Sequence, residues 1–229
     1  FGVDESGSIN QSEFALIRDG LASALKLVPT SGDVEYRISV VYFNGSARTV
    51  VPVTPITSMA ALNGVINTIK TEAKISGGTN IANSVNLLTK NFVDYGIGDT
   101  SILNVSTDGV GGNVQTAALD AFNAGIDGLS YEAIGSGAST TSLLASAFPG
   151  TPVLVSNPGE LPADILTTSF VYKISSFADY EAAIKAKIGK VIVDTGGEVP
   201  PVPLPAGLPL LLTGLAGIFG LRRMRRRAA

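Results

Sequence analysis

Apolar and polar residues alternate along this chain with two different periods, and the switches between them divide it into strands and helices. After Asn10 the apolar residues Phe14, Ile17, Leu21, Ala24, Leu25 and Val28 recur at helical spacing until Pro29. Asn10 is placed to cap that helix, with Glu13 three residues on to complete a capping box. Residues 34–43 then alternate with period 2, Asn44-Gly45 is a strong hairpin signal, and residues 46–53 are expected to return antiparallel. A second, less regular helix is expected over 58–68. A third opens at Asn80, where Ile81, Val85, Leu88 and Phe92 share a face. Residues 101–107 form a short apolar strand that ends at Asp108, and the 114–124 helix is closed by Gly125. A strand over 129–134, a short helix over 141–148 and a strand over 170–174 follow. Ser176 is expected to cap the last helix, with Asp179 three residues later and a buried stripe of Phe177, Tyr180, Ile184, Ile188 and Val191. Strand and helix taking turns predicts an α/β domain with a mostly parallel central sheet, one antiparallel edge strand, and helices on both faces.

Three stretches depart from this alternation. Phe1-Gly2-Val3 is short for a buried parallel strand, so the chain is expected to lack the start of its first strand, and any signal peptide would precede what is seen. Residues 149–169 exceed the usual αβ connection and are expected to be an insertion, with a strand over 151–155, a turn at Asn157-Pro158-Gly159, and no assigned role. The domain is expected to cover 1–193. Residues 194–205, with two glycines and four prolines, then form a linker, and 206–229 an apolar segment with an arginine-rich end.

Composition narrows the chemistry. The 229 residues include no cysteine and no histidine, which removes Ser-His and Cys-His catalysis and the commonest transition-metal ligand. Five of the 16 basic residues lie in the last eight positions; without them 11 basic residues face 19 acidic ones, a net charge of −8. An acidic body argues against nucleic acid, whose binding rests on phosphate neutralisation. Gly135-Ser136-Gly137 lacks the third glycine of a dinucleotide loop, and no Gly-x-Ser-x-Gly elbow is present. Asp33, Asp94, Asp127 and Glu132 are expected to be solvated surface acids.

The candidate chemistry lies in oxygen. In Asp4-Glu5-Ser6-Gly7-Ser8, a carboxylate and two hydroxyls can turn to one side of a loop at a strand's end, which makes half a site for a hard divalent cation. Asp, Ser and Gly equally make ordinary surface turns, so this segment alone leaves both readings open. Two further segments, Gly77-Gly78-Thr79-Asn80 before a helix and Ser106-Thr107-Asp108-Gly109 after a strand, stand where each can add an oxygen. Together the three resemble the von Willebrand factor type A (vWA) family and its metal-ion-dependent adhesion site (MIDAS), in order and approximate spacing, over roughly residues 1–192. The resemblance implies a Rossmann-like fold and a Mg2+ or Mn2+ ion held by Asp4, Ser6, Ser8, Thr79 and Asp108. It further implies Ser6 and Ser8 as direct ligands and Asp4 and Asp108 acting partly through water; Glu5, lying between ligands, is expected to point outward.

The end of the chain carries a second resemblance. Val202-Pro203-Leu204-Pro205-Ala206, sixteen uncharged residues over 206–221 and an arginine cluster resemble the VPLPA variant of the bacterial PEP-CTERM sorting signals. As a helix the apolar run would be about 24 Å long against a hydrocarbon core of about 30 Å, a marginal span. The arginines would stay cytoplasmic and leave the domain outside. The resemblance implies processing by an exosortase-type enzyme. The reading is a surface-displayed or secreted bacterial domain, not an enzyme, that grips a protein or matrix ligand offering a carboxylate. The alternative is a vWA subunit of an ATP-driven chelatase or assembly machine.

Overall fold

The computed structural model describes residues 1–199. The predicted apolar sorting segment and the linker from residue 200 onward lie outside the described residues. Seven strands form one sheet: β1 (Gly2–Asp4), β2 (Arg37–Phe43), β3 (Ala47–Pro55), β4 (Ile102–Thr107), β5 (Gly128–Ile134), β6 (Val153–Val155) and β7 (Phe170–Ile174), in the order β3-β2-β1-β4-β5-β7-β6. All neighbours are parallel except β2 and β3. Six helices surround the sheet: α1 (Gln11–Ala24), α2 (Met59–Thr71), α3 (Ile81–Tyr95), α4 (Val114–Asn123), α5 (Thr140–Leu144) and α6 (Tyr180–Asp194).

Period-2 alternation explains why the sheet is covered twice. Along β2, Val40 and Tyr42 pack into one apolar cluster with residues of α1, α2 and α6, while Val41 and Phe43 pack into a second with residues of α3, α4 and α5. The stripe expected up to Pro29 is buried, with no exposed surface at Phe14, Ile17, Leu21, Ala24 and Leu25, although α1 ends at Ala24 and a 3-10 turn over Leu25–Leu27 leads to the buried Val28. The start of α1 is fixed by the expected capping box, with Asn10 Oδ1 accepting from Glu13 N and Glu13 Oε2 from Asn10 N.

Several local details differ from the sequence reading. The β2–β3 turn has three residues rather than two, with Phe43 opposite Ala47 and Asn44 Oδ1 accepting from Ser46 N. The Asn44 side chain thus supplies the turn that a left-handed Asn-Gly pair would otherwise make. The helix expected over 141–148 stops at Leu144, because Phe148 turns to bridge Leu129 of β5. Ser176 does not cap α6 through an accepted hydrogen bond. Its hydroxyl donates to Asp179 Oδ2 and a short 3-10 turn precedes the helix. The insertion acquires a structural role, since β6 within it pairs with β7 and forms one edge of the sheet. The other edge is β3, which carries Pro52 and Pro55.

Glu132 corrects the expectation of a solvated surface acid. It is on β5, facing the α1–α6 layer, with no exposed surface. Its Oε2 accepts from Asn104 Nδ2 at 2.6 Å and Ser106 Oγ at 2.9 Å, and Lys187 Nζ of α6 lies 3.4 Å from Oε1. Lys187 also donates to Ser130 Oγ and sits over the Phe170 ring. Burial pushes the Lys187 ammonium below its usual range, and Glu132 pulls it back up. An ion pair this dry is costly to break from one side. Lys187→Met should therefore cost about 3–5 kcal/mol in urea unfolding, whereas Lys187→Met with Glu132→Gln should recover most of it. Equal losses in the single and double variants would show that the charge left behind is not the cost.

Candidate metal centre

The strand order reverses at β1: the chain goes from β1 to β2 on one side and later reaches β4 on the other. In open parallel sheets that reversal leaves a crevice at the carboxyl ends of the strands, where ligands bind. Asp4 is the last residue of β1 and Thr107 the last of β4, so Asp108 follows directly at the same edge.

Asp4 is fully buried. Its Oδ1 accepts from Ser6 N at 2.8 Å and its Oδ2 from Thr107 Oγ1 at 2.6 Å, so the loop after β1 is folded around its own carboxylate. In front of it the site oxygens form a chain: Ser6 Oγ lies 3.0 Å from Ser8 Oγ, and Ser8 Oγ donates to Asp108 Oδ1 at 2.8 Å. Four of the five expected residues are thereby joined by hydrogen bonds.

Thr79 reaches the site by backbone packing. A Cβ added to Gly111 would lie 2.0 Å from the Thr79 carbonyl oxygen, so only glycine permits the loop after Asp108 to cross Thr79 so closely. Gly111 O also accepts from Ile81 N. The Thr79 hydroxyl lies against Gly109, next to Asp108. Asn80 caps α3 by accepting from Asn83 N, which puts Thr79 just ahead of that helix.

Glu5 does not point outward as expected. It is fully buried, and its carboxylate accepts from Arg48 Nε at 3.1 Å, Arg48 Nη2 at 3.0 Å and Ile75 N at 2.8 Å. Lys74 was likewise not legible as part of the centre. Its Nζ donates to Ser6 O and Ser76 Oγ, both at 2.8 Å.

The donor set suits a small hard cation. Two ligands in cis positions around Mg2+ at 2.0–2.1 Å are separated by √2 times that distance, about 2.9 Å. The Ser6–Ser8 and Ser8–Asp108 spacings of 3.0 and 2.8 Å are hydrogen-bond lengths and are also compatible with that edge. The oxygens gathered here are hydroxyls and two carboxylates, a hard and modestly charged set, and among the described residues no three of His, Cys, Asp and Glu cluster. Burial pushes both carboxyls above the ordinary range; Asp108 adds to this at Asp4, and Lys74 opposes it at Asp108.

Residues 1–143 match the family model described as "Protein of unknown function (DUF1194)". The chain belongs to this family. A search of curated proteins gave no match to this DUF1194 member. Among solved structures, proximal thread matrix protein 1 from the mussel byssus superposes with a TM-score of 0.62 at 20% identity, covering 83% of this chain and 46% of that one. The DUF1194 chain thus spans about half the length of the mussel protein, which has also been solved with zinc in its MIDAS motif. BatB from Bacteroides thetaiotaomicron gives 0.61 at 14% identity, over 85% and 96% of the two chains. A von Willebrand factor type A protein from Catenulispora acidiphila gives 0.59 at 14%, over 82% and 41%. These likenesses establish a vWA-like fold.

Because a cation needs ionised ligands and burial holds Asp4 and Asp108 above the ordinary carboxylate range, protons should compete early. Without metal, the raised pKa values make the folded state the better proton binder, so its stability should decline as pH rises from the ordinary carboxylate range through the raised values. A Mg2+ ion held by these carboxyls would offset this at neutral pH, with the rise in melting temperature fading as pH falls through the raised values. Melting curves with Mg2+ and with EDTA at each pH test this; a Mg2+ effect of equal size throughout would place the ion away from these carboxyls.

Proposed function

We propose that this domain holds a Mg2+ or Mn2+ ion through Asp4, Ser6, Ser8, Thr79 and Asp108 and uses it to grip a carboxylate offered by a protein or extracellular-matrix partner. The observation that carries this reading is the row of oxygens from Ser6 through Ser8 to Asp108, spaced as the edges of a Mg2+ shell and backed by the buried Asp4. When bound, the cation would supply a positive charge and coordination positions open to water or to a partner's oxygen. Asp4 orients Ser6 through its backbone amide, and Ser8 and Asp108 present their oxygens from opposite loops. The amino end of α3, just beyond Thr79, favours an anion at the same edge.

Two features favour a protein as the partner. Ile75 and Val110, on the loops that carry Thr79 and Asp108, are 51% and 56% exposed. Apolar side chains beside a charge-bearing centre suit a carboxylate carried on a peptide. The zinc-bound MIDAS of the mussel matrix protein, on the same fold, supports a cation here and an adhesive setting. The reading assigns no reaction to the domain.

The setting rests on the sequence beyond the described residues. The Val202-Pro203-Leu204-Pro205-Ala206 motif, the apolar run and the terminal arginines support export, transient anchoring in the inner membrane, exosortase-type processing, and display at the cell surface or release. Among the described residues no helix is long and apolar enough to cross a membrane.

Asp4→Ala should weaken Mn2+ binding by more than about a hundredfold in calorimetry, with the circular dichroism spectrum retained. Pull-down from surface or matrix extract should succeed with Mg2+ and fail with EDTA or with Thr79→Ala. Capture that survives both would locate the interface elsewhere. Mass spectrometry of the protein from its native host should find a carboxyl terminus near Pro205; recovery of chains still ending in the arginine cluster would indicate a permanent anchor.

A further inference from the structure

The segment that carries Thr79 has no regular structure of its own from Glu72 to Asn80. It is held instead by hydrogen bonds to three other places in the chain. Three of them involve the loop after β1: Ile75 N donates to Glu5 Oε2, Lys74 Nζ to Ser6 O, and Gly7 N to Gly77 O; Arg48 of β3, itself held by Glu5, donates through Nη2 to Ala73 O at 2.7 Å. Arg48 also pairs through Nη1 with Glu72 and lies over the Tyr42 ring. The remaining anchors come from the β2–β3 turn, where Asn44 Nδ2 donates to Ile75 O and Asn44 O accepts from Asn80 N.

Arg48 is therefore the hub of a strap. One guanidinium grips the buried Glu5 carboxylate through Nε and Nη2 and reaches two successive residues of the Thr79 segment, Glu72 through Nη1 and Ala73 through the same Nη2. Glu5 stands between Asp4 and Ser6 in the chain, so any slack in its position is passed directly to the site oxygens. We propose that Glu5 and Arg48 are positioning residues for the cation. They lock the Thr79 segment onto the Asp4–Ser8 loop, so that the oxygen set is gathered before the ion arrives. The proposal rests on the metal reading above and assigns neither residue a contact with the ion.

The test uses the full chain, Mn2+ as the probe, and two readouts. Arg48→Met strands a buried carboxylate, so the variant to rely on is Arg48→Met combined with Glu5→Gln, which removes both charges. Mn2+ affinity measured by calorimetry should fall about tenfold, as supporting residues behind metal ligands commonly do. In the Thr79→Ala background the same double change should have a smaller further effect, because part of the strap's action runs through that segment. In metal-free protein, amide exchange at Ile75 should speed up, since its acceptor on Glu5 is weakened. Arg48→Lys should fail to restore affinity, because an ammonium cannot reproduce the planar fork. If the wild type binds no Mn2+, the metal reading falls and this proposal with it. Wild-type binding with unchanged affinity in the Glu5–Arg48 variant would overturn the strap alone, as would an undiminished effect in the Thr79→Ala background or full rescue by Arg48→Lys.

Discussion

A carboxylate taken out of water must be given donors, and the carboxyl edge of this sheet is arranged around meeting that requirement for Asp4. The amide of Ser6 and the hydroxyl of Thr107 reach it from the two strands that flank the crossover, one from its own loop and one from the end of β4. Meeting the requirement from both sides fixes the curvature of the first loop and the register of the second. Ser6, Ser8 and Asp108 are then set in front of the buried charge as a consequence of how it is solvated by the protein. The α1 capping box begins two residues after Ser8 and continues the same constraint into the helix that seals one face of the sheet.

What the sequence made legible was what depends on local pattern. The α1 stripe and the Asn10–Glu13 box are properties of residues three and four apart, and they stand where the pattern puts them. The period-2 strands and the parallel sheet with one antiparallel edge likewise follow from short-range signals. The five candidate residues were singled out through their resemblance to a known motif, and Thr79 shows why resemblance was needed to group it with the others. Nothing near Thr79 in the sequence reveals that Gly111 lets two distant loops cross at contact distance.

Glu5, Glu132 and Lys187 were misjudged or overlooked for one shared reason. A charged residue reads as solvated unless its counter-ion is known, and here each partner lies on another element: Arg48 on β3 for Glu5, α6 for Glu132, β5 for Lys187. Their neighbours in sequence carry no trace of the pairing. In the insertion a strand was expected over 151–155 and β6 lies within it, but its role was not legible, since the pairing with β7 that makes it a sheet edge lies on another element.

The two borders of the sheet bear on how the molecule behaves in a crowd. On one border, Pro52 and Pro55 interrupt the row of amides that another chain would need for strand pairing. On the other, β6 offers only three residues before the chain turns away. Neither border is a long template for growth by addition of strands from neighbouring copies. Copies packed side by side would therefore gain little from pairing strand to strand at either border.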